Sequence, residues 1–189
     1  MANKRIDTKD LFYLYDSIIS DLLQAVSLFS KKEINTIPYT GSWTAGQVVE
    51  HITRSNDTIV QSLHINGYVT KRKPDERIPE LKELFLDFTI KLESPDFILP
   101  TRDIYEKEVL VADLEKSVLQ LREARNRINL LEALNHPAFG EITKLEIVHF
   151  ALYHTQRHLH QLHKIYRALK GYDNNVTPIN RRTKKPKQA

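Results

Sequence analysis

The sequence contains no cysteine, so disulfides, thiolate metal sites and cysteine nucleophiles are all excluded. That absence fits a reducing compartment, and a cytoplasmic location is the expectation. Glycine is scarce, five in 189 residues, and there is neither a glycine-rich phosphate loop nor a Gly-x-Ser-x-Gly elbow. No uncharged apolar run approaches the roughly 18 residues that suggest a membrane span. The opening MANKRIDTKD lacks the apolar core of a signal peptide, and no membrane association is expected.

The basic character of the chain is local. Residues 172–189 carry Arg181, Arg182, Lys184, Lys185 and Lys187 against one acid, Asp173, which accounts for the whole net charge of +4. The body before them is formally neutral. A short basic segment can hold phosphates weakly through counterion release, but a solvated, disordered tail is the reading adopted. No RNA-binding face with interleaved aromatics is present, and nucleic acid is not expected as a partner.

What is there is mostly helical pattern. The composition, 41% hydrophobic with few glycines, suits one mainly helical domain, taken as residues 1–171. Asp7 or Thr8 caps a first helix to about Ser30, with Leu11, Leu14, Ile18, Leu22 and Ala25 to Leu28 at helical spacing. Thr44 and Gln47 form a capping box with Trp43 and Val48 as its staple, so a second helix runs to about Asn66, with Gly67 at the stop. From Tyr68 to Leu110 four prolines punctuate a weaker pattern with one short helix at Ile78 to Ile90. A connection that long fits a crossover to the other end of a bundle. A third helix is expected over Ala112 to Leu134, broken by Asn135-His136-Pro137 and Gly140. Thr143 and Glu146 form a second capping box that starts a fourth helix, which Gly171 ends. Four long helices with one long crossover make an all-α four-helix bundle.

Five of the eight histidines fall in the fourth helix, at 149, 154, 158, 160 and 163. At 100° per residue, His154 and His158 lie on the flank of its apolar face, near Ile147 and Ile165. His149 and His160 fall on the opposite side, and His163 at the far margin. Two imidazoles four residues apart can clamp one metal ion if a third ligand arrives from elsewhere. They can equally be hydrogen-bonded residues at the core edge, and the spacing leaves both readings open. His51, about two turns into the second helix, stands within or beside that helix's apolar stripe. His154-Thr155-Gln156-Arg157-His158 lacks the glutamate of a zincin, and the single Glu146-x-x-His149 is too little for a di-iron bundle.

The second and fourth helices together resemble the DinB-like superfamily. Two signatures carry the resemblance: Trp43-Thr44 through His51-Ile52, and Tyr153-His154-Thr155-Gln156-Arg157-His158-Leu159. In helix order it extends over roughly residues 5 to 170, although Tyr68 to Leu110 carries no motif that can be placed. The resemblance implies an up-down-down-up bundle, usually dimeric, with one divalent ion, zinc or nickel, on a histidine triad. Carried over by position, that triad is His51, His154 and His158. The family's thiol S-transferases use low-molecular-weight thiols such as bacillithiol or mycothiol, and other members are named as metal-dependent hydrolases. The resemblance therefore implies a metal-dependent transferase or hydrolase for a small-molecule substrate. The alternative is a non-catalytic dimeric metal-binding or stress-response bundle. No general base is identified, and Glu50, Ser55, Asn56 and Tyr153 are expected to face outward.

Overall fold

The computed structural model describes residues 8–172, so the expected basic tail at 172–189 lies almost entirely outside the described residues. Four long helices form the body: α1 (Lys9–Ser27), α2 (Ala45–His64), α4 (Lys107–Asn126) and α5 (Lys144–Leu169). A short helix, α3 (Ile78–Leu86), with Pro79 in its first turn where no N–H is needed, lies in the crossover.

Contacts at the helix ends fix the directions. Phe29, just past α1, packs edge-on against Tyr166 near the end of α5, so these two helices run parallel. Asp16, early in α1, pairs with Arg122 and Arg125 at the end of α4, so α4 runs opposite to α1. The end of α2 leads into β1 (Tyr68–Val69), which pairs with β2 (Glu132–His136). That strand pairs in turn with β3 (Gly140–Thr143), from which α5 begins. The order is therefore up, down, down, up. Because α2 and α4 are parallel, the chain between them must travel the length of the bundle, which is why residues 65–106 form a crossover.

The core is a continuous stripe from each helix. Leu11, Tyr15, Ile19 and Leu22 of α1 meet Val48, Ile52 and Ile59 of α2, Leu114, Val118 and Leu121 of α4, and Leu145, Val148 and Leu162 of α5. The face of α1 is rotated from the expected one: Leu14 is 51% exposed, while Tyr15 and Ile19 are buried. Among the described residues no helix is long and apolar enough to cross a membrane.

Two expectations are corrected. The third helix ends at Asn126, not Leu134, and the following residues form a small three-stranded antiparallel sheet. The side chain of Asn129 accepts from the Leu131 N–H in a local turn that redirects the chain. His136 then pairs with Gly140 across a three-residue hairpin loop, 137–139, and Gly140 directly after it takes φ +65°, the left-handed position such a hairpin requires. Gly67 is not a left-handed helix stop either. It lets β1 approach β2, since a Cβ there would come within 2.5 Å of Glu132 Cβ.

Both capping boxes form as expected. The second does more than start α5. Glu146, with its side chain fully buried, takes a bidentate pair from Arg72, 2.6 Å to each oxygen. It also takes the backbone N–H of Arg77 at 2.8 Å and of Thr143 at 2.9 Å. Burial alone would raise this carboxyl, but Arg72 and the two N–H donors outweigh it and hold it below its ordinary value. The crossover is thus fastened to the start of α5.

A carboxyl lowered on folding adds stability above its unfolded value, near 4.3, and loses it as pH falls through the folded value. Arg72→Met, which strands the Glu146 charge, is expected to cost about 3–5 kcal/mol in urea unfolding at neutral pH. The gap to wild type should close below about pH 4. A gap that does not change with pH would contradict this role.

Candidate metal centre

The first capping box places His51. Thr44 Oγ1 accepts from the Gln47 N–H at 3.1 Å, and Gln47 Oε1 accepts from the Thr44 N–H at 2.9 Å, which sets where α2 begins. His51 then falls two turns in, on the flank facing α5. Its Nδ1–H donates to the carbonyl of Ile98 at 2.9 Å, in a 3-10 turn of the crossover, Asp96–Ile98. A carbonyl only accepts, so the proton sits on Nδ1 and the lone pair of Nε2 points away from the crossover.

On α5, His154 and His158 are one turn apart and turn the same way. His158 Nδ1–H donates to Gln161 Oε1 at 2.8 Å, which again leaves Nε2 with its lone pair. The three Nε2 atoms converge: His51 to His154 at 3.1 Å, and His154 to His158 at 3.1 Å. These are the three residues whose ligand atoms all lie within 4.8 Å of one another.

Hydrogen bonding does not account for this arrangement. The His154 Nε2 can carry one proton at most, so it can donate to one neighbour but not both. At least one of the two contacts is therefore left without a hydrogen bond, unless a cation lies between them. A tetrahedral ion bound at 2.0–2.1 Å separates its nitrogen ligands by about 3.3 Å, close to the spacing present. The donor set fits a divalent metal.

The surroundings keep the rings in the form that ligates. His51, His154 and His158 are 1%, 5% and 8% exposed. Burial is the largest cause lowering each pKa, to about 3 for His158 and well below the ordinary value for His154. Neighbouring rings and Arg157 push the same way at His154 and His158, and Arg54 does so at His51, while the Ile98 and Gln161 hydrogen bonds oppose the shift at His51 and His158. All three are therefore neutral near pH 7, as metal ligation requires. Trp43 lies 5.2 Å from His51 between ring centres, and Phe150 and Phe85 lie 5.2 and 6.2 Å from His154. Arg157 donates to the carbonyls of Phe85, Asp87 and Ile90, which ties the end of α3 to the turn of α5 that carries the two histidines.

The other histidines stay apart from this centre. His160 and His163 are exposed, with His160 stacked 4.2 Å from Phe88. His149 is half-buried, 3.3 Å from the hydroxyl of Tyr153.

The expectation that Glu50, Ser55, Asn56 and Tyr153 face outward is wrong for all four, which are buried. At Glu50 the crossover covers a side of α2 that an isolated helix would leave open. Glu50 spends both oxygens on crossover donors and has no role open as a base: Thr101 N–H and hydroxyl, Arg102 N–H and Tyr105 hydroxyl. Asn56 donates to Ser117 at 3.0 Å. Ser55 Oγ has no protein partner. Gln161 and the Ile98 carbonyl were missed. Gln161, three residues past His158, could have been found from spacing. A backbone carbonyl leaves no mark in the sequence.

The structure thus combines a buried three-histidine cluster with an up-down-down-up four-helix bundle. The DinB superfamily pattern matches residues 14–162, and the chain belongs to that superfamily. It is similar to the uncharacterized protein YuaE of Bacillus subtilis (strain 168), 25% identical, over 72% of this chain and 85% of that protein. A protein of Bacillus mycoides (strain KBAB4), provisionally named a metal-dependent hydrolase, is 26% identical over 76% of each chain. Among solved structures, YfiT from Bacillus subtilis, described as "a probable metal-dependent hydrolase with an unusual four-helix bundle topology", aligns with TM-score 0.56 at 15% identity. The alignment covers 90% of this chain and 93% of that one. The four-helix bundle protein TT2238 aligns with TM-score 0.53 at 19% identity, over 82% and 97% of the two chains. At these identities the two structures speak for the fold alone.

A buried hydroxyl without a partner costs its desolvation. Ser55→Ala is therefore expected to leave thermal stability unchanged or raise it by up to about 1 kcal/mol. A clear loss would mean that the hydroxyl has a partner beyond the chain.

Proposed function

We propose that His51, His154 and His158 hold one divalent ion, zinc or nickel, and that the protein is a metal-dependent hydrolase or thiol S-transferase for a small-molecule substrate. The observation that carries this reading is the convergence of three Nε2 atoms, two of them on rings whose Nδ1 protons are already committed to acceptors. Imidazole suits both metals. Three neutral protein ligands leave a coordination position for water or a thiol, the pattern of catalytic sites. An ion there supplies Lewis-acid activation, making a water or low-molecular-weight thiol nucleophilic at neutral pH. The names of the Bacillus relatives support the hydrolase side; the thiol side rests on the family resemblance.

The chain's own residues supply the ligand set, its neutral state and the flanking rings of Trp43, Phe85 and Phe150. Among the described residues the buried carboxylates Glu50 and Glu146 are both engaged, so the nucleophile would depend on the ion for its activation. The near-complete burial of all three rings favours a second reading, in which the ion is structural and the protein non-catalytic.

Purified protein is expected to hold about one zinc or nickel per chain by elemental analysis. His158→Ala should weaken binding by more than about 100-fold, beyond the 10–100-fold typical of outer-shell partners. His160→Ala should leave binding unchanged. Protein that takes up no metal ends this reading. Cobalt-substituted protein whose visible spectrum ignores added thiol and azide would favour the structural alternative.

A further inference from the structure

Three residues of α2 reach in succession to one stretch of the crossover. Arg54 donates to the Phe97 carbonyl at 2.8 Å, and His51 donates to the Ile98 carbonyl at 2.9 Å. Glu50 accepts from the Thr101 N–H at 3.0 Å and from its hydroxyl at 2.9 Å. The His51 contact is therefore flanked by a fastening on each side. Glu50 also takes the Arg102 N–H at 3.3 Å and the Tyr105 hydroxyl at 2.6 Å. The Tyr105 ring lies against Gly46, one helical turn before Glu50, where a Cβ would come within 2.4 Å of the ring. Only glycine lets the ring lie so close to α2.

The link from clamp to carbonyl is short and stiff. Leu99 and Pro100 alone separate Ile98 from Thr101. Leu99 is extended at φ −63°, ψ 145°, the conformation a following proline favours, and proline fixes its own φ. A displacement of Thr101 would therefore carry to the Ile98 carbonyl rather than be absorbed between them.

The identity of the acceptor matters to a metal. Which ring nitrogen of a neutral imidazole carries the proton is set by the hydrogen bond the other makes. With Ile98 in place the proton stays on Nδ1 and Nε2 is free to ligate. Without it, the Nε2–H tautomer competes, and that tautomer cannot ligate through Nε2.

We propose that Glu50 is a positioning residue for the metal: by clamping Thr101 to Tyr105 it holds the Ile98 carbonyl against His51, and so fixes the tautomer through which His51 binds the ion. The proposal rests on the metal reading above and deepens it. Glu50 acts through His51 and touches neither ion nor substrate.

The test uses full-length protein with Glu50→Gln, and with Tyr105→Phe, which removes one clamp bond while keeping the ring on Gly46. Zinc affinity is read by competition with a chromophoric chelator, and the ring nitrogens of His51 and His158 by 15N NMR of metal-free protein. Glu50→Gln is expected to weaken zinc binding by about 10–100-fold, and Tyr105→Phe by a smaller factor. In Glu50→Gln, His51 should lose its fixed Nδ1–H tautomer while His158, held by Gln161, keeps its own. A merely structural role would lower the melting temperature and leave both readouts alone. Zinc affinity within about threefold of wild type in both variants, or an unmoved His51 tautomer, overturns the proposal. Wild-type protein that takes up no zinc sinks the metal reading and this proposal together, whereas uptake with an unmoved His51 sinks only the proposal.

Discussion

Three imidazoles that present unprotonated nitrogens to one point repel one another unless something positive lies among them, and each such ring needs a proton acceptor on its outer side. His51 and His158 each have such an acceptor. Gln161 serves His158 from the next turn of the same helix, a local solution. His51 has no such neighbour and takes the carbonyl of Ile98, 47 residues away in sequence. The crossover is thus a structural partner of the centre, and its course over the outer side of α2 is what the His51 ring depends on.

The same logic explains why buried carboxylates stand at two fastening points rather than in the centre. Glu146 anchors the start of the crossover through Arg72 and Arg77, and Glu50 anchors its end through Thr101, Arg102 and Tyr105. Each is held ionised by several donors, and the Glu50 carboxyl too lies below its ordinary value despite its burial. Besides the apolar packing of Leu81, Phe85 and Tyr105, the connection is held by charge-assisted hydrogen bonds at its two ends. Between them, Arg157 fastens the end of α3 next to His154 and His158.

Local signals in the sequence were legible because they act within a few residues. Thr44 with Gln47 and Thr143 with Glu146 located two helix starts, and the spacing of His154 and His158 chose two rings from five. His51 was joined to them by family resemblance, and the structure brings all three within ligand distance. What could not be read involves partners distant in sequence. Ile128, Leu131 and Leu134 repeat at helical spacing, yet Leu134 belongs to a strand, because a short apolar run fits either period until its pairing partner is known. Glu50 looked solvent-facing because helical angles describe one helix, not the segment laid over it. The Ile98 carbonyl could not be seen at all, since every residue has one.

The central claim is that the three Nε2 atoms share one ion, and X-ray absorption at the metal edge of zinc-loaded protein tests it most directly. The account predicts three imidazole nitrogens at about 2.0–2.1 Å with one further light ligand in a four-coordinate shell. A shell with fewer than three imidazoles, or one dominated by carboxylate oxygen, would contradict it.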